Sequence, residues 1–394
     1  MLDPFWLLVL ALILASVAVG FFLGYRQRKQ PPHQWQDGSL NSEYFVGLNY
    51  LLNEQTDEAI KSFIKALEIN ADTVDTYIVL GRLFRRRGEI EKAIHAHQDL
   101  LARPSLTREQ SLRVQLELAH DYIKAGLLDR GESLLEDMLK TCWSGTDESV
   151  RLLLSVYEQE KEWQKAIDII HQAKGIDGHR YKNQLAHYHC ELAEAALEGN
   201  DVLMARKHLR LAFARDRDNV RATLILGKLE CSLKNYRESV RVLQRLYQQN
   251  PRFIPESIPL LEHAFEAMRS VRGWSAYLGK CLREYPSAAV VLAHARLIAR
   301  QQGDKEAARF IARQIVNRPS LKGLNALIDL NIEHTEGRPQ QNLMLLRELT
   351  GRLLDSKPVY CCIRCGFNGK TLHWRCPGCH EWGTTEPIMG IEGE

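Results

Sequence analysis

Four of the nine cysteines carry the clearest chemistry in the chain. Cys362 and Cys365 form one C-x-x-C pair, and Cys376 and Cys379 form a second ten residues further on. Two residues between thiolates let each pair grip an ion from a tight turn, and Gly366 with Pro377-Gly378 supplies suitable turn residues. Four thiolates close a tetrahedral site for one iron or zinc ion. A redox C-x-x-C would need a single pair in a βαβ setting. Cys361 would leave three residues before Cys365, so it reads as a bystander, and His373 and His380 read as neighbours of the site. His187, His189 and Cys190 invite a second metal reading, but residues two apart do not share a helix face. Cys142, Cys190, Cys231 and Cys281 are isolated thiols in a long chain, which points to a reducing compartment. No phosphate loop, dinucleotide glycine motif, H-E-x-x-H or G-x-S-x-G occurs, so no catalytic residues are expected.

A metal tail of about 35 residues cannot be held by core burial alone, so the metal is expected to fold it. Tyr360, Phe367, Trp374 and Trp382 are expected to pack it onto the last helices before it, fixing their curvature. The knuckles resemble those of rubredoxin, with two departures. The gap between pairs is shorter than in electron-transfer rubredoxins, and His380 stands where a glycine is expected after the last cysteine.

Residues 40 to 253 repeat with a period near 34. A small residue is followed by an aromatic three later, a small residue twelve later and a large side chain sixteen later: Gly47, Tyr50, Ala59 and Phe63 in the first unit. Gly81, Phe84 and Ala93 follow, then Ala119, Tyr122, Gly131 and Leu135. Tyr157 and Ala166, then Ala193, Ala205 and Leu209, then Gly227, Ser239 and Leu243 continue the series. This resembles the tetratricopeptide repeat, a helix-turn-helix unit that buries its apolar face only by stacking on its neighbours. The expected contact is a Gly or Ala on the first helix against an Ala on the second. From 254 to 355 the pattern decays, and about three degenerate helical pairs are expected there, with Trp274-Ser-Ala276 and Gly303 to Phe310 opening second helices. Arg82, Arg85, Arg86 and Arg87 cluster at the end of one helix, either as a solvated end favoured by the helix dipole or as a clamp for acidic peptides.

Phe5 to Tyr25 is an uncharged run of 21 residues, enough for a helix of roughly 30 Å. It predicts a transmembrane anchor over 1–25, then a linker over 26–40 with Pro31, Pro32, Gly38 and Ser39. Arg26, Arg28 and Lys29 follow the run and only Asp3 precedes it, which predicts the N-terminus outside and the body inside, on the cytoplasmic side. The competing readings are a cleaved signal peptide, with Ala18-Val-Gly20 as its site, and a buried core helix. The predicted fold is therefore an all-α superhelical tetratricopeptide-repeat solenoid over 41–355, with an N-terminal transmembrane helix and a rubredoxin-like or zinc-ribbon-like metal domain over 356–394.

Lys and Arg number 52 and Asp and Glu 49, a net charge of +3 that argues against a nucleic-acid binder. Near the knuckles only Arg364, Lys370 and Arg375 are basic, too few for a nucleic-acid-binding ribbon. An anchor, a repeat array and a rubredoxin-like tail in this order resemble the lipopolysaccharide assembly protein B family of Gram-negative bacteria. The likeness is most specific in Ser356-Lys-Pro358-Val-Tyr360, the two knuckles and Pro387-Ile-Met-Gly390. The resemblance implies a single-pass inner-membrane adaptor, the outside of its N-terminus being the periplasm, that regulates lipopolysaccharide biosynthesis. It implies work with the membrane protease FtsH to degrade the deacetylase LpxC, a link to an inner-membrane lipopolysaccharide-sensing regulator, and coupling of synthesis to export. The alternative is a rubredoxin-like electron carrier on a repeat scaffold. The repeats by themselves imply only that the chain binds protein.

Overall fold

The computed structural model describes residues 38–69, 74–140, 146–172, 178–391 and 393. Among these residues, nine pairs of helices follow one another up to Ser356. They are α1 (Gly38–Leu52) with α2 (Thr56–Ile69), α3 (Val74–Arg87) with α4 (Ile90–Leu101), and α5 (Arg108–Lys124) with α6 (Leu128–Leu139). Next come α7 (Thr146–Glu160) with α8 (Trp163–Gln172), α9 (Lys182–Glu198) with α10 (Val202–Arg215), and α11 (Val220–Ser232) with α12 (Tyr236–Leu243). The short α13 (Leu246–Gln249) and the 3₁₀ turn Pro251–Phe253 lead to α14 (Ile254–Ala267) with α15 (Val271–Glu284), α16 (Ala288–Gln302) with α17 (Asp304–Asn317), and α18 (Leu321–Ile332) with α19 (Arg338–Ser356).

The turn inside every pair holds one residue in the left-handed region: Glu54, Gly88, Gly126, Lys161, Asn200, Lys234, Arg269, Gly303 and Gly337. In the turns up to Arg269 that conformation ends the first helix by letting N–H groups fold back onto its last carbonyls, whereas Gly303 and Gly337 have extended ψ values of 166° and −143°. At Gly88 the glycine N–H bonds to the Arg85 carbonyl at 3.1 Å and the Glu89 N–H to the Phe84 carbonyl at 2.9 Å, and the same closure recurs at Lys234 and Arg269. The period therefore continues through 254–355, where the side-chain pattern fades.

The small residues of the repeat do a second job besides the one expected. A methyl group added at Gly47 would lie 2.9 Å from the Phe63 ring, and one at Gly81 or Gly227 would lie 2.3 Å from His97 or Leu243. Each glycine thus also accommodates the large side chain sixteen residues on, and at Gly227 the small residue twelve on, Ser239, donates to the glycine carbonyl at 2.8 Å. The helices approach closely because the bulk comes from one side only.

The chain divides into two compact units, residues up to Val156 and residues Tyr157–Glu394. In the first, Ala59, Ile60, Phe63, Leu80 and Leu83 form a buried core. Beside it lies a buried polar network that resolves the arginine cluster. Arg85 holds Glu117 at 2.7 Å and Asp121 at 2.5 Å, Arg82 pairs with Glu117, and His97 Nδ1 meets Asp121 at 2.5 Å. Burial would raise the Glu117 carboxyl, but the two guanidiniums outweigh it and hold the group at about 2. Arg87 binds Asp57 and Glu89. Arg82, Arg85 and Arg87 are thus taken by the fold's own carboxylates, which corrects the peptide-clamp expectation.

The second unit contains a continuous core through Leu243, Ile258, Leu261, Leu278 and Leu297. Its last residues form a three-stranded antiparallel sheet, order β2-β1-β3, from β1 (Tyr360–Cys362), β2 (Asn368–Gly369) and β3 (Thr385–Pro387). Tyr360 pairs with Gly369 on one side and Pro387 on the other.

The single-pass inner-membrane placement is corrected: among the described residues no helix is long and apolar enough to cross a membrane. The run Phe5–Tyr25 expected to form the anchor lies outside the described residues, as does Cys142. Where a linker was expected up to residue 40, helix α1 already begins at Gly38.

Candidate metal centre and its docking surface

Each C-x-x-C pair sits on a turn of the same design. After β1, the Gly366 N–H bonds back to the Cys362 carbonyl at 2.9 Å, and Gly366 takes a left-handed φ of +76°. In the second turn the His380 N–H bonds to the Cys376 carbonyl at 2.9 Å, with a φ of +58°. His380 thus adopts the conformation that glycine supplies in the first turn, at the steric cost of a side chain. Gly378 lets the second turn close against the first, since a methyl group there would lie 3.2 Å from Cys365 Sγ.

The two turns bring Cys362, Cys365, Cys376 and Cys379 together, with their sulfurs all within 4.8 Å of one another. Cys362 and Cys379 are 3.7 Å apart, and Cys365 and Cys376 3.6 Å. Metal–sulfur bonds of about 2.3 Å at tetrahedral angles require sulfurs roughly 3.8 Å apart. Charge leads to the same conclusion. Burial opposes ionisation of Cys362, but the Thr384 hydroxyl and the backbone N–H groups of Cys365 and Arg364 outweigh it and bring the thiol down to about 6. The Phe367 N–H favours a Cys365 thiolate, yet desolvation and the neighbouring cysteines push that thiol up to about 12. Four thiolates packed this closely repel one another unless a cation lies among them. The donor set and spacing fit one metal ion. Cys362 and Cys376 are buried, whereas Cys365 is exposed. Cys361 lies outside the group, its Sγ 3.7 Å from the Cys362 carbonyl.

Folding the turns also builds a docking face. An Arg375–Trp382 bridge closes the second knuckle, and both residues reach Glu158 at the end of α7. Trp382 Nε1 donates to Glu158 Oε1 at 2.7 Å, Arg375 pairs with Oε2 at 2.7 Å, and the Tyr188 hydroxyl donates to Oε1 at 2.7 Å. The Trp382 ring stacks on His187 at 5.1 Å and meets the edges of Trp163 and Tyr188. Burial, with Arg221 nearby, drives the His187 imidazole down to about 3, so it stacks as a neutral ring. Trp374 stacks on Phe253, the Tyr360 hydroxyl donates to Glu256 at 2.6 Å, and Glu386 binds Asn250 and Arg252.

The tail therefore docks chiefly on α7 to α9 and the start of α14, which corrects the expectation of the last helices; only its end reaches α18, where the Leu321 N–H bonds to the Ile391 carbonyl. Phe367 stays within the tail, edge-on to His373. His187 serves the docking face, and Cys190 is buried beside Asn219, so neither belongs to a second metal site. Glu158, Asn183, which donates to the Trp382 carbonyl at 3.1 Å, and Arg221, 5.9 Å from the Trp382 ring, went unnoticed in the sequence, because their partners lie up to 224 residues away and no local spacing marks them.

An array of helical pairs with a docked four-cysteine tail defines a tetratricopeptide-repeat protein bearing a rubredoxin-type metal-binding domain. Residues 360–387 match the rubredoxin metal binding domain, and residues 44–73 and 190–252 match the tetratricopeptide repeat. The chain belongs to the lipopolysaccharide assembly protein B family. It is 32% identical over 393 residues to lipopolysaccharide assembly protein B of Escherichia coli K12, covering 98% of this chain and 99% of that protein. The Haemophilus influenzae protein of the same name is 29% identical over 394 residues, with the same coverage. Among solved structures, a tetratricopeptide repeat protein from Parabacteroides merdae matches 79% of this chain and 99% of its own, at 14% identity and a TM-score of 0.29.

Proposed function

We propose that this chain is an adaptor in lipopolysaccharide assembly, with one iron or zinc ion held by Cys362, Cys365, Cys376 and Cys379 as a structural centre. The observation that carries the reading is identity along nearly the whole chain to relatives named for that assembly. The docked tail supports a structural role for the metal, because its ordered face meets Glu158, His187 and Phe253. The array recruits protein clients through its repeats. In its specific form the reading makes the deacetylase LpxC the client and FtsH the protease to which it is delivered. A lipopolysaccharide-sensing regulator and the proteins of synthesis and export are the further partners.

The test is the half-life of the deacetylase in cells lacking this protein. It should lengthen several-fold, and an unchanged half-life would sink the specific form. The electron-carrier alternative draws on the exposed edge at Cys365. Zinc in place of iron, with client turnover retained, would exclude it.

A further inference from the structure

Within the second unit, a cavity of about 520 Å³ opens between α12, α13 and α15, and none of its lining residues belongs to the metal tail. That volume falls in the range of small-ligand pockets. Three cations line it, Arg241, Arg245 and Lys280, together with the amides of Gln244 and Gln248, and no carboxylate does.

The cations are held mostly by groups that leave their charge in place. Lys280 Nζ sits 3.8 Å above the centre of the Tyr247 ring. Arg245 stacks over Phe213 at 4.7 Å and donates to the Arg217 carbonyl at 3.2 Å. Among the described residues only Arg241 meets a carboxylate, Glu238, in an exposed pair that solvent screens and that contributes little.

We infer that this cavity binds a phosphate-bearing ligand. Three like charges gathered in one concavity attract an anion and repel cations. A lone carboxylate would bring a single charge, whereas a phosphate monoester brings nearly two and three strong acceptor oxygens. Arginine meets such oxygens in a fork and lysine as a point charge, and the glutamine amides complete the donor set. The inference is independent of the reading proposed above. The phosphate comes either from a soluble ester or from a phosphorylated lipid headgroup.

Calorimetric titration of the full chain with inorganic pyrophosphate, and sedimentation with vesicles of phosphatidic acid against phosphatidylcholine, separate the two sources. Saturable pyrophosphate binding assigns a soluble ester. Binding to phosphatidic acid vesicles alone assigns a headgroup, and binding of both assigns the phosphate group itself. In each case the double variant Arg245→Gln/Lys280→Gln should weaken binding by more than about tenfold, with helicity and metal content unchanged, and Lys280→Arg should retain it. Binding of neither probe, binding unaltered in the double variant, or equal binding of a polyglutamate peptide through the same residues overturns the inference.

Discussion

The repeat array and the cysteine tail keep their shape by opposite means. In the array, apolar burial is spread over many small contacts repeated along the chain, each glycine fitted to one large side chain such as Phe63 or Leu243. In the tail, order depends on four sulfurs within 4.8 Å and a few polar anchors, Glu158 binding two tail residues among them. Distributed burial tolerates the loss of any one contact, because neighbouring pairs still stack. Concentrated order does not, since a small domain without its metal lacks the core to stay folded.

Breaking the metal site should show the largest effect. Cys376→Ser should abolish bound metal by elemental analysis and unfold residues 360–387, costing the several kcal/mol that metal binding supplies to such domains. Cys361→Ser should keep full metal content, and equal loss in both variants would refute the assignment. Next is the anchor. Glu158→Ala leaves the Arg375 guanidinium and the Trp382 N–H unpaired at the docking face and should cost about 3–5 kcal/mol. Hydrogen exchange should then rise across the tail while α16 to α19 stay protected. A uniform rise through both regions would erase the distinction between them.

Acid should act on the docking face in a more graded way. An unfolded histidine takes its proton near 6.5, but His187 in its buried stack resists protonation down to about 3. The unfolded state binds more protons in that window, so this contribution is complete above pH 6.5 and is lost as pH falls toward 3. The slope reaches about 1.4 kcal/mol per pH unit from one histidine. His187→Phe, which keeps a ring under Trp382, should flatten the melting temperature between pH 6.5 and 5. The smallest effect sharpens the likeness between the regions. Lys234 in a repeat turn and His380 in a knuckle both occupy left-handed positions. Lys234→Gly and His380→Gly should each stabilise by about 0.5–1 kcal/mol in thermal melts.

The helical pairs and the cysteine quartet were readable because both are local signals. A period near 34 and a C-x-x-C spacing lie within a few turns of chain. The pattern became hard to follow after residue 254 because its side chains lose their regular types, while the turns at Arg269, Gly303 and Gly337 keep the period in a backbone angle that only glycine advertises. The arginine cluster misled for a related reason. Four arginines in six residues look like a free basic patch until Glu117 and Asp121, more than thirty residues on, are brought beside Arg82 and Arg85.

The sequence by itself determined the repeat class, the small residues that let paired helices approach, and which four cysteines lie together, since each depends on residues close along the chain. Tertiary structure alone decided where the tail docks, that Glu158 and His187 receive Trp382, and that Arg241, Arg245 and Lys280 share one cavity. Those pairings join distant segments through shape and charge that appear only once the helices have stacked. A carboxylate 224 residues from its tryptophan carries no mark of that partnership until folding removes the water between them.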